Sequence, residues 1–206
     1  MRSSWERFYA RLVWLPTLWW NYLLGRVLRV RNWSDRIDAQ VIVGAYPFAR
    51  DVPRLVKEGV RAVVNTCEEY AGPVIRYEAS GIEQLRIPTT DFTHPRLEDV
   101  KLAVEFVQRH VVAGDSVYIH CKAGRARSAT VALCWLVKYR GMSPEAAQRL
   151  LLEKRPHVNP RLTERPVVKQ FVLELEGVPT ATASEQIELE VLGQDPTESK
   201  PPPQEP

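Results

Sequence analysis

The stretch VYIHCKAGRARSATVALCWL, residues 117–136, decides how this chain is read. A β-branched and aromatic run, Val117-Tyr118-Ile119, ends in His120-Cys121, a short basic loop follows, and an Ala- and Leu-rich segment begins near Ser128. The first piece has the composition of a strand and the last that of a buried helix, so the thiol stands at a strand–loop–helix junction. At such a junction the loop N–H groups turn inward as an anion nest, and the helix adds its positive end. A thiol held there is expected well below the free value of about 8.5, as a thiolate at neutral pH. Gly124 gives the tight point of the loop a backbone freedom that a side chain would remove.

The residue types then assign themselves to one chemistry. Cys121 is the candidate nucleophile, and Arg127 offers a planar fork for two oxygens of a tetrahedral oxyanion. Ser128 is placed to donate to the sulfur when it leaves, and Lys122, Ala123, Gly124, Arg125 and Ala126 make up the cradle between them. This chemistry asks for no metal and no other cofactor. The bland alternative is a core thiol beside a solvated basic loop, and the context of His120, Gly124 and Ser128 argues against it.

Outward from this junction the chain alternates. AQVIVGAYPF reads as a short strand pair entering a turn, DVPRLVKEGV as a helix, VRAVVNTC as a buried strand and IEQLRIPTT as another. RLEDVKLAVEFVQRHV is an amphipathic helix, DSVYIH a strand, and SATVALCWLVKYR a buried helix stopped by Gly141. Ser143-Pro144-Glu145 opens the next helix with a hydroxyl cap, a proline in the first turn and an acid at the positive end. A last helix is expected over 162–176. Strands alternating with helices predict an α/β fold with a central, mainly parallel sheet flanked by helices.

The ends differ from this middle. Residues 1–36 carry seven arginines against Glu6 and Asp35, and residues 178–206 carry six acids against Lys200. Trp14, Trp19, Trp20 and Tyr22 stand among the arginines at helical spacing, which suits a membrane headgroup boundary. The most apolar part, 12–24, is too short to span a bilayer, which takes about twenty apolar residues. A helix packed on its own domain and a cleaved targeting segment are the competing readings. We therefore expect a membrane-associating segment over 1–33, a catalytic domain over 34–177 and a disordered, Pro-rich acidic tail over 178–206. The three cysteines and four histidines show neither a disulfide framework nor zinc-ligand spacing. No nucleic-acid partner and no obligate protein partner are expected.

Transfer of a phosphoryl group to sulfur expels an alkoxide, and the second, water-attack step needs a base; one carboxyl on a loop serves both. Asp91, in IPTTDFTHPRLED, follows a strand and precedes a Pro-containing loop. Glu98 and Asp99 are alternatives that read more simply as first-turn acids of the next helix.

HCKAGRARS resembles the signature loop of the cysteine-dependent protein-tyrosine and dual-specificity phosphatases. RIDAQVIVGAYPF, VVNTCEEY, GIEQLRIPTTDFT, HCKAGRARSAT and MSPEAA follow the order found in the mitochondrial protein-tyrosine phosphatases that act on phosphatidylglycerophosphate, and LPTLWWNYLLGRV is similar to their N-terminal segment. The resemblance covers about 10–175. It implies a dual-specificity-phosphatase-like fold, the general acid at Asp91, and a pocket mouth lined by Glu68, Glu69 and Tyr70, with Ala71 where the family has a further acid. It also implies an anionic phospholipid substrate and, in a eukaryote, the matrix side of the inner mitochondrial membrane; in a bacterium the cytoplasmic membrane would take its place. A protein phosphatase of dual specificity, a phosphoinositide phosphatase and a phosphate-binding scaffold without catalysis are the other functions weighed. The additional cations Lys122 and Arg125, expected at the rim of the pocket, favour a substrate with more than one anionic group.

Overall fold

The computed structural model describes residue 28 and residues 31–177; the expectations for the aromatic, Arg-rich segment before them and for the acidic tail fall outside the described residues. The chain divides into residues 1–172, which hold the sheet and the site, and residues 173–206. Among the described residues no helix is long and apolar enough to cross a membrane.

Five strands form one sheet: β1 (Ser34–Arg36), β2 (Val41–Ala45), β3 (Val60–Cys67), β4 (Glu83–Thr89) and β5 (Ser116–Cys121), in the order β1-β2-β5-β3-β4. Only the β1–β2 pair is antiparallel; β2–β5, β5–β3 and β3–β4 are parallel. The helices are α1 (Val52–Lys57, preceded by a 3₁₀ turn at Ala49–Asp51), α2 (Val74–Ala79), α3 (Leu97–Val112), α4 (Arg127–Arg140), α5 (Pro144–Lys154) and α6 (Pro166–Leu175).

The period-2 alternation of the strands sorts their side chains onto two faces. Val41 and Val43 of β2, Ala62 and Val64 of β3, and Val117 and Ile119 of β5 join the larger core with α3, α4 and α5, where Trp135, Leu133 and Leu151 are fully buried. Ile42, Val63 and Tyr118 face the other way, onto Val52 and Leu55 of α1 and Tyr77 of α2. Val60 and Val63 share a face because the β3–β5 register shifts between Val60 and Ala62. A fully buried Val or Leu contributes about 1.5–3 kcal/mol, so both faces of the sheet are worth covering.

The helix boundaries follow their signals. Ser143 Oγ accepts from the Ala146 amide at 3.2 Å, with Pro144 in the first turn, and Gly141 ends α4 at φ 63°. Three local readings are corrected. AQVIVGAYPF holds one strand, not two; its antiparallel partner is the short polar run Ser34–Arg36, while Tyr46 and Phe48 leave the sheet to pack with Trp33. The last helix begins at Pro166 rather than 162, because Leu162 is buried in the preceding turn and imitates helical spacing. α2 was not expected; six residues with Tyr77 alone buried carry no periodicity.

His120, fully buried near the end of β5, is pushed down to about 3 by burial, against the supporting Cys121 backbone and with the Arg127 charge adding to the effect. A base whose folded pKa is depressed costs stability as pH falls, because the unfolded chain binds a proton that the folded chain refuses. The window opens near pH 6.5 and runs down towards 3. At pH 5 the loss from this one group reaches about 2 kcal/mol. Urea denaturation at pH 7 and pH 5 should show a smaller pH dependence in His120→Gln than in the parent, by about that amount; equal dependence in both would mean that His120 is not the buried base assumed.

Candidate active site: a thiol at the sheet's carboxyl edge

β3, β4 and β5 are parallel neighbours, so their carboxyl ends open onto the same edge, the usual place for a site in an open α/β sheet. The β3 end leads to Glu68, Glu69 and Tyr70, the β4 end to Asp91, and the β5 end is Cys121 itself. Three loops thus meet over one thiol.

The Cys121 sulfur accepts from the Gly124 amide at 3.1 Å and from Ser128 Oγ at 3.3 Å. Burial opposes its ionisation, but the Arg127 charge, the Ser128 hydroxyl and the backbone N–H groups of Ser128 and Ala123 outweigh it and hold the thiol below its ordinary value. The other two cysteines, Cys67 and Cys134, lack such an excess of donors, and burial pushes both up.

Arg127 opens α4 with only 2% of its surface exposed. Its Nη1 and Nη2 meet both oxygens of Glu69 at 3.0 and 2.8 Å, and Nη1 also donates to the Thr89 carbonyl at 2.6 Å. Glu69 thus grips both Nη groups of the guanidinium and fixes its plane. Asp91 Oδ1 lies 3.0 Å from Nη2, and its other oxygen pairs with Lys122 Nζ. Asp91 thus covers two cations of the pocket at once. Glu68 Oε2 accepts from Thr90 Oγ1 at 2.6 Å and ties the β3 loop to the Asp91 loop. Tyr70 packs on Tyr46, with ring centroids 4.3 Å apart, and its hydroxyl donates to the Pro47 carbonyl at 2.7 Å. Above the thiol lies a cavity of about 560 Å³ whose walls include Asp91, Phe92, Cys121, Lys122, Arg125, Arg127, Asn159, Arg31 and Arg165.

Residues 41–170 match the dual specificity phosphatase catalytic domain. The chain belongs to this family. It is 39% identical over 165 residues to a phosphatidylglycerophosphate phosphatase of Arabidopsis thaliana, covering 79% of this chain and 72% of that protein. It is 37% identical over 183 residues to the phosphatidylglycerophosphatase and protein-tyrosine phosphatase 1 of Mus musculus, covering 84% of this chain and 95% of that one. The crystal structure of PTPMT1 in complex with PI(5)P superimposes with a TM-score of 0.66 at 35% identity, over 71% of this chain and 98% of that one. Human DUSP28 matches at 25% identity with a TM-score of 0.59, covering 71% of this chain and 94% of that one.

In this phosphatase the residues picked out from the sequence converge on one pocket. Cys121, the 122–126 loop, Arg127, Ser128, Asp91 and Glu69 come together, with Glu68 and Tyr70 fixing the loop that carries Glu69. Glu98 and Asp99 do not join them: they pair with Lys101 and Arg96 on the first turn of α3. Lys122 is not a rim charge, since it is buried against Asp91.

Two arginines escaped the sequence reading. Arg165 and its place in the pocket wall are taken up below. Arg155 is 1% exposed and reaches the outer side of the thiol loop. Its Nε donates to the Gly124 carbonyl at 2.8 Å and Nη2 to the Ala123 carbonyl at 3.1 Å, while Nη1 pairs with Asp35. With the Ala123 carbonyl held outward, the Gly124 amide that follows it faces the sulfur. Gly124, at φ 65°, lies against the Gly44 backbone, where a Cβ would meet the Gly44 carbonyl carbon at 2.4 Å. Nothing local in KRPHVNP marks Arg155; its partners are more than thirty residues away.

Arg155→Lys keeps the charge but loses the fork that grips two carbonyls. The variant should alkylate with iodoacetamide along a pH profile displaced upward from the parent's, because the amides no longer converge on the thiolate. An unchanged profile in a folded variant would separate the thiol's ionisation from the Arg155 brace.

Proposed function

We propose that this chain is a phosphatidylglycerophosphate phosphatase, releasing phosphate and phosphatidylglycerol through a cysteinyl-phosphate intermediate. The observation that carries the reading is the Cys121 sulfur set among N–H and O–H donors beneath a pocket that also holds Arg127 and Asp91. The substrate assignment is supported by the two relatives named for that activity, which align over 79% and 84% of this chain.

In the first step the Cys121 thiolate attacks phosphorus along the axis opposite the leaving oxygen. The loop amides and Arg127 take the equatorial oxygens, where charge builds in the transition state. The phosphoryl group displaces Asp91 from Lys122 and Arg127; the freed carboxylate takes up a proton from water at the pocket mouth and, as the acid, passes it to the departing glycerol oxygen. In the second step the same carboxylate takes a proton from water as it attacks the phosphocysteine, and Ser128 donates to the returning thiolate. Glu69 keeps Arg127 oriented throughout, and the loop of Glu68 and Tyr70 holds Glu69.

Residues 1–30, basic and rich in tryptophan, would hold this pocket at an anionic bilayer and raise the effective substrate concentration. In a eukaryotic cell that surface is the matrix face of the inner mitochondrial membrane, where phosphatidylglycerol feeds cardiolipin synthesis; in a bacterium it is the cytoplasmic membrane. Residues 34–177 form the catalytic domain and 178–206 a tail outside it.

A direct comparison tests the assignment. Full-length protein given short-chain phosphatidylglycerophosphate, a phosphoinositide panel and a phosphotyrosine peptide should show its highest kcat/KM on the first. A higher value on the peptide would make it a protein phosphatase. Cys121→Ser should abolish turnover on all of them. In Asp91→Asn, kcat should fall by about 10²–10⁴-fold and lose the decline at high pH that marks a required acid; a variant that keeps the decline would place the acid elsewhere.

A further inference from the structure

The pocket is electrostatically divided. In its depth every positive charge has an anion: Arg127 has Glu69 and Asp91, and Lys122 has Asp91. The outer wall is different. Arg31, Arg125 and Arg165 line it, and no carboxylate pairs with any of the three among the described residues. Arg165 is half-buried, and among the described residues its one side-chain hydrogen-bond partner is the Thr130 hydroxyl, 3.3 Å from Nη1. Arg125 Nε donates to the His157 carbonyl at 2.9 Å, which fixes its stem and leaves its Nη groups for the pocket.

Burying a cation without a counter-ion is costly, and a half-buried guanidinium in a cavity wall that holds two further arginines is a place that stability alone would not choose. Burial and the Arg127 charge work against Arg165, while the Cys121 thiolate favours it, which places Arg165 within electrostatic reach of the reacting centre. His157 reports the outer field independently: burial and then the charges of Arg155, Arg31 and Arg125 push it down to about 3. A cavity of about 560 Å³ is sized for a small organic ligand rather than for one phosphoryl group.

We infer that Arg165, with Arg31 and Arg125, forms a second anion subsite, which takes a phosphodiester of the substrate while Cys121 and Arg127 hold the terminal phosphomonoester. The inference rests on the lipid reading above and deepens it, because phosphatidylglycerophosphate carries both groups one glycerol apart. Arg165 is the specificity-determining residue. Its planar fork suits two phosphate oxygens, and its position at the turn before α6, backed by Thr130, fixes it relative to the thiol. A phosphotyrosine side chain brings one phosphate and leaves the outer cations without an anion, so the same wall discriminates against it.

Soluble probes test this without any lipid. Propane-1,3-bisphosphonate and propylphosphonate, neither of them hydrolysable, compete with 4-nitrophenyl phosphate. The bisphosphonate should inhibit the full-length protein at least about tenfold more strongly than the monophosphonate, a difference of about 1.4 kcal/mol. Arg165→Gln should bring that ratio below about threefold, Arg31→Gln should lower it less, and Arg165→Lys should retain part of it. The ratio, rather than the rate, is the readout, so a general loss of activity does not move it. A parent ratio near one, or a ratio unaltered in Arg165→Gln, would overturn the subsite. The lipid assignment fails separately. A protein that prefers the phosphotyrosine peptide yet loses its ratio in Arg165→Gln refutes only that assignment; one that prefers phosphatidylglycerophosphate yet keeps its ratio refutes only the subsite.

Discussion

A negative sulfur has to be stable inside the protein. Burial of Cys121 works against that charge, and the surroundings reverse the balance with the Arg127 guanidinium, the Ser128 hydroxyl and converging amides. Each hydrogen bond to a charged group contributes about 1.5–3 kcal/mol, so a set of them beside a cation is the right size to offset a desolvation cost of several kcal/mol. Remove their alignment and the sulfur becomes an ordinary core thiol, as Cys134 is. Most of what is unusual in the chain serves that alignment. Glu69 and Thr89 fix the guanidinium, Arg155 fixes the loop carbonyls, and two glycines, Gly44 and Gly124, let the loop lie against β2.

The sheet makes these long-range arrangements possible. β5 is central, flanked by β2 and β3, and β3 is flanked in turn by β4. Because β3, β4 and β5 run parallel, the residues after Cys67, Thr89 and Cys121 emerge side by side although they are far apart in sequence. β1, the one antiparallel strand, has a separate use. It carries Asp35, the counter-ion of Arg155, and so links the sheet's edge to the back of the thiol loop.

What could be read from the sequence divides along the same line. The thiol loop was legible because its logic is local: strand, nest, glycine and helix start fall within about a dozen residues, and the structure has them there. The parallel sheet followed from strands alternating with helices. Glu69 was assigned to the pocket by resemblance alone, since nothing in CEEYAGP says that its carboxylate will meet an arginine fifty-eight residues away. Lys122 was misread as a rim charge because sequence gives the position of a lysine but not the acid that buries it. Arg155 and Arg165 stayed invisible for the same reason, as arginines in a basic stretch after α5. At Ala71, where the family has an acid, the main chain is what the loop uses: its carbonyl accepts from Gln84 Nε2 at 3.1 Å while the residue is exposed.

Two acids sit on Arg127, and their loops are held differently. Glu69 is held in both oxygens, and its loop is anchored on one side by Glu68 to Thr90 and on the other by Tyr70 to Pro47. Asp91 is followed by Phe92, which stands in the left-handed region at φ 65° with two-thirds of its surface exposed. That conformation costs a residue with a Cβ about 1–2 kcal/mol, and it is held here by a contact of Lys122 over the ring at 5.3 Å and by the Asp91 pairs themselves. In the proposed mechanism a phosphoryl dianion takes both cations from Asp91, and the contacts that sustained the strain go with them, so releasing the loop offsets part of the cost of breaking the pairs. In that mechanism Asp91 then swings over the leaving oxygen, while Glu69 continues to aim the guanidinium. The Thr90–Glu68 hydrogen bond is where the two loops meet: the strained residue, Phe92, lies beyond it on the Asp91 side, and on the other side the Glu69 loop keeps its own contacts to Pro47 and Arg127.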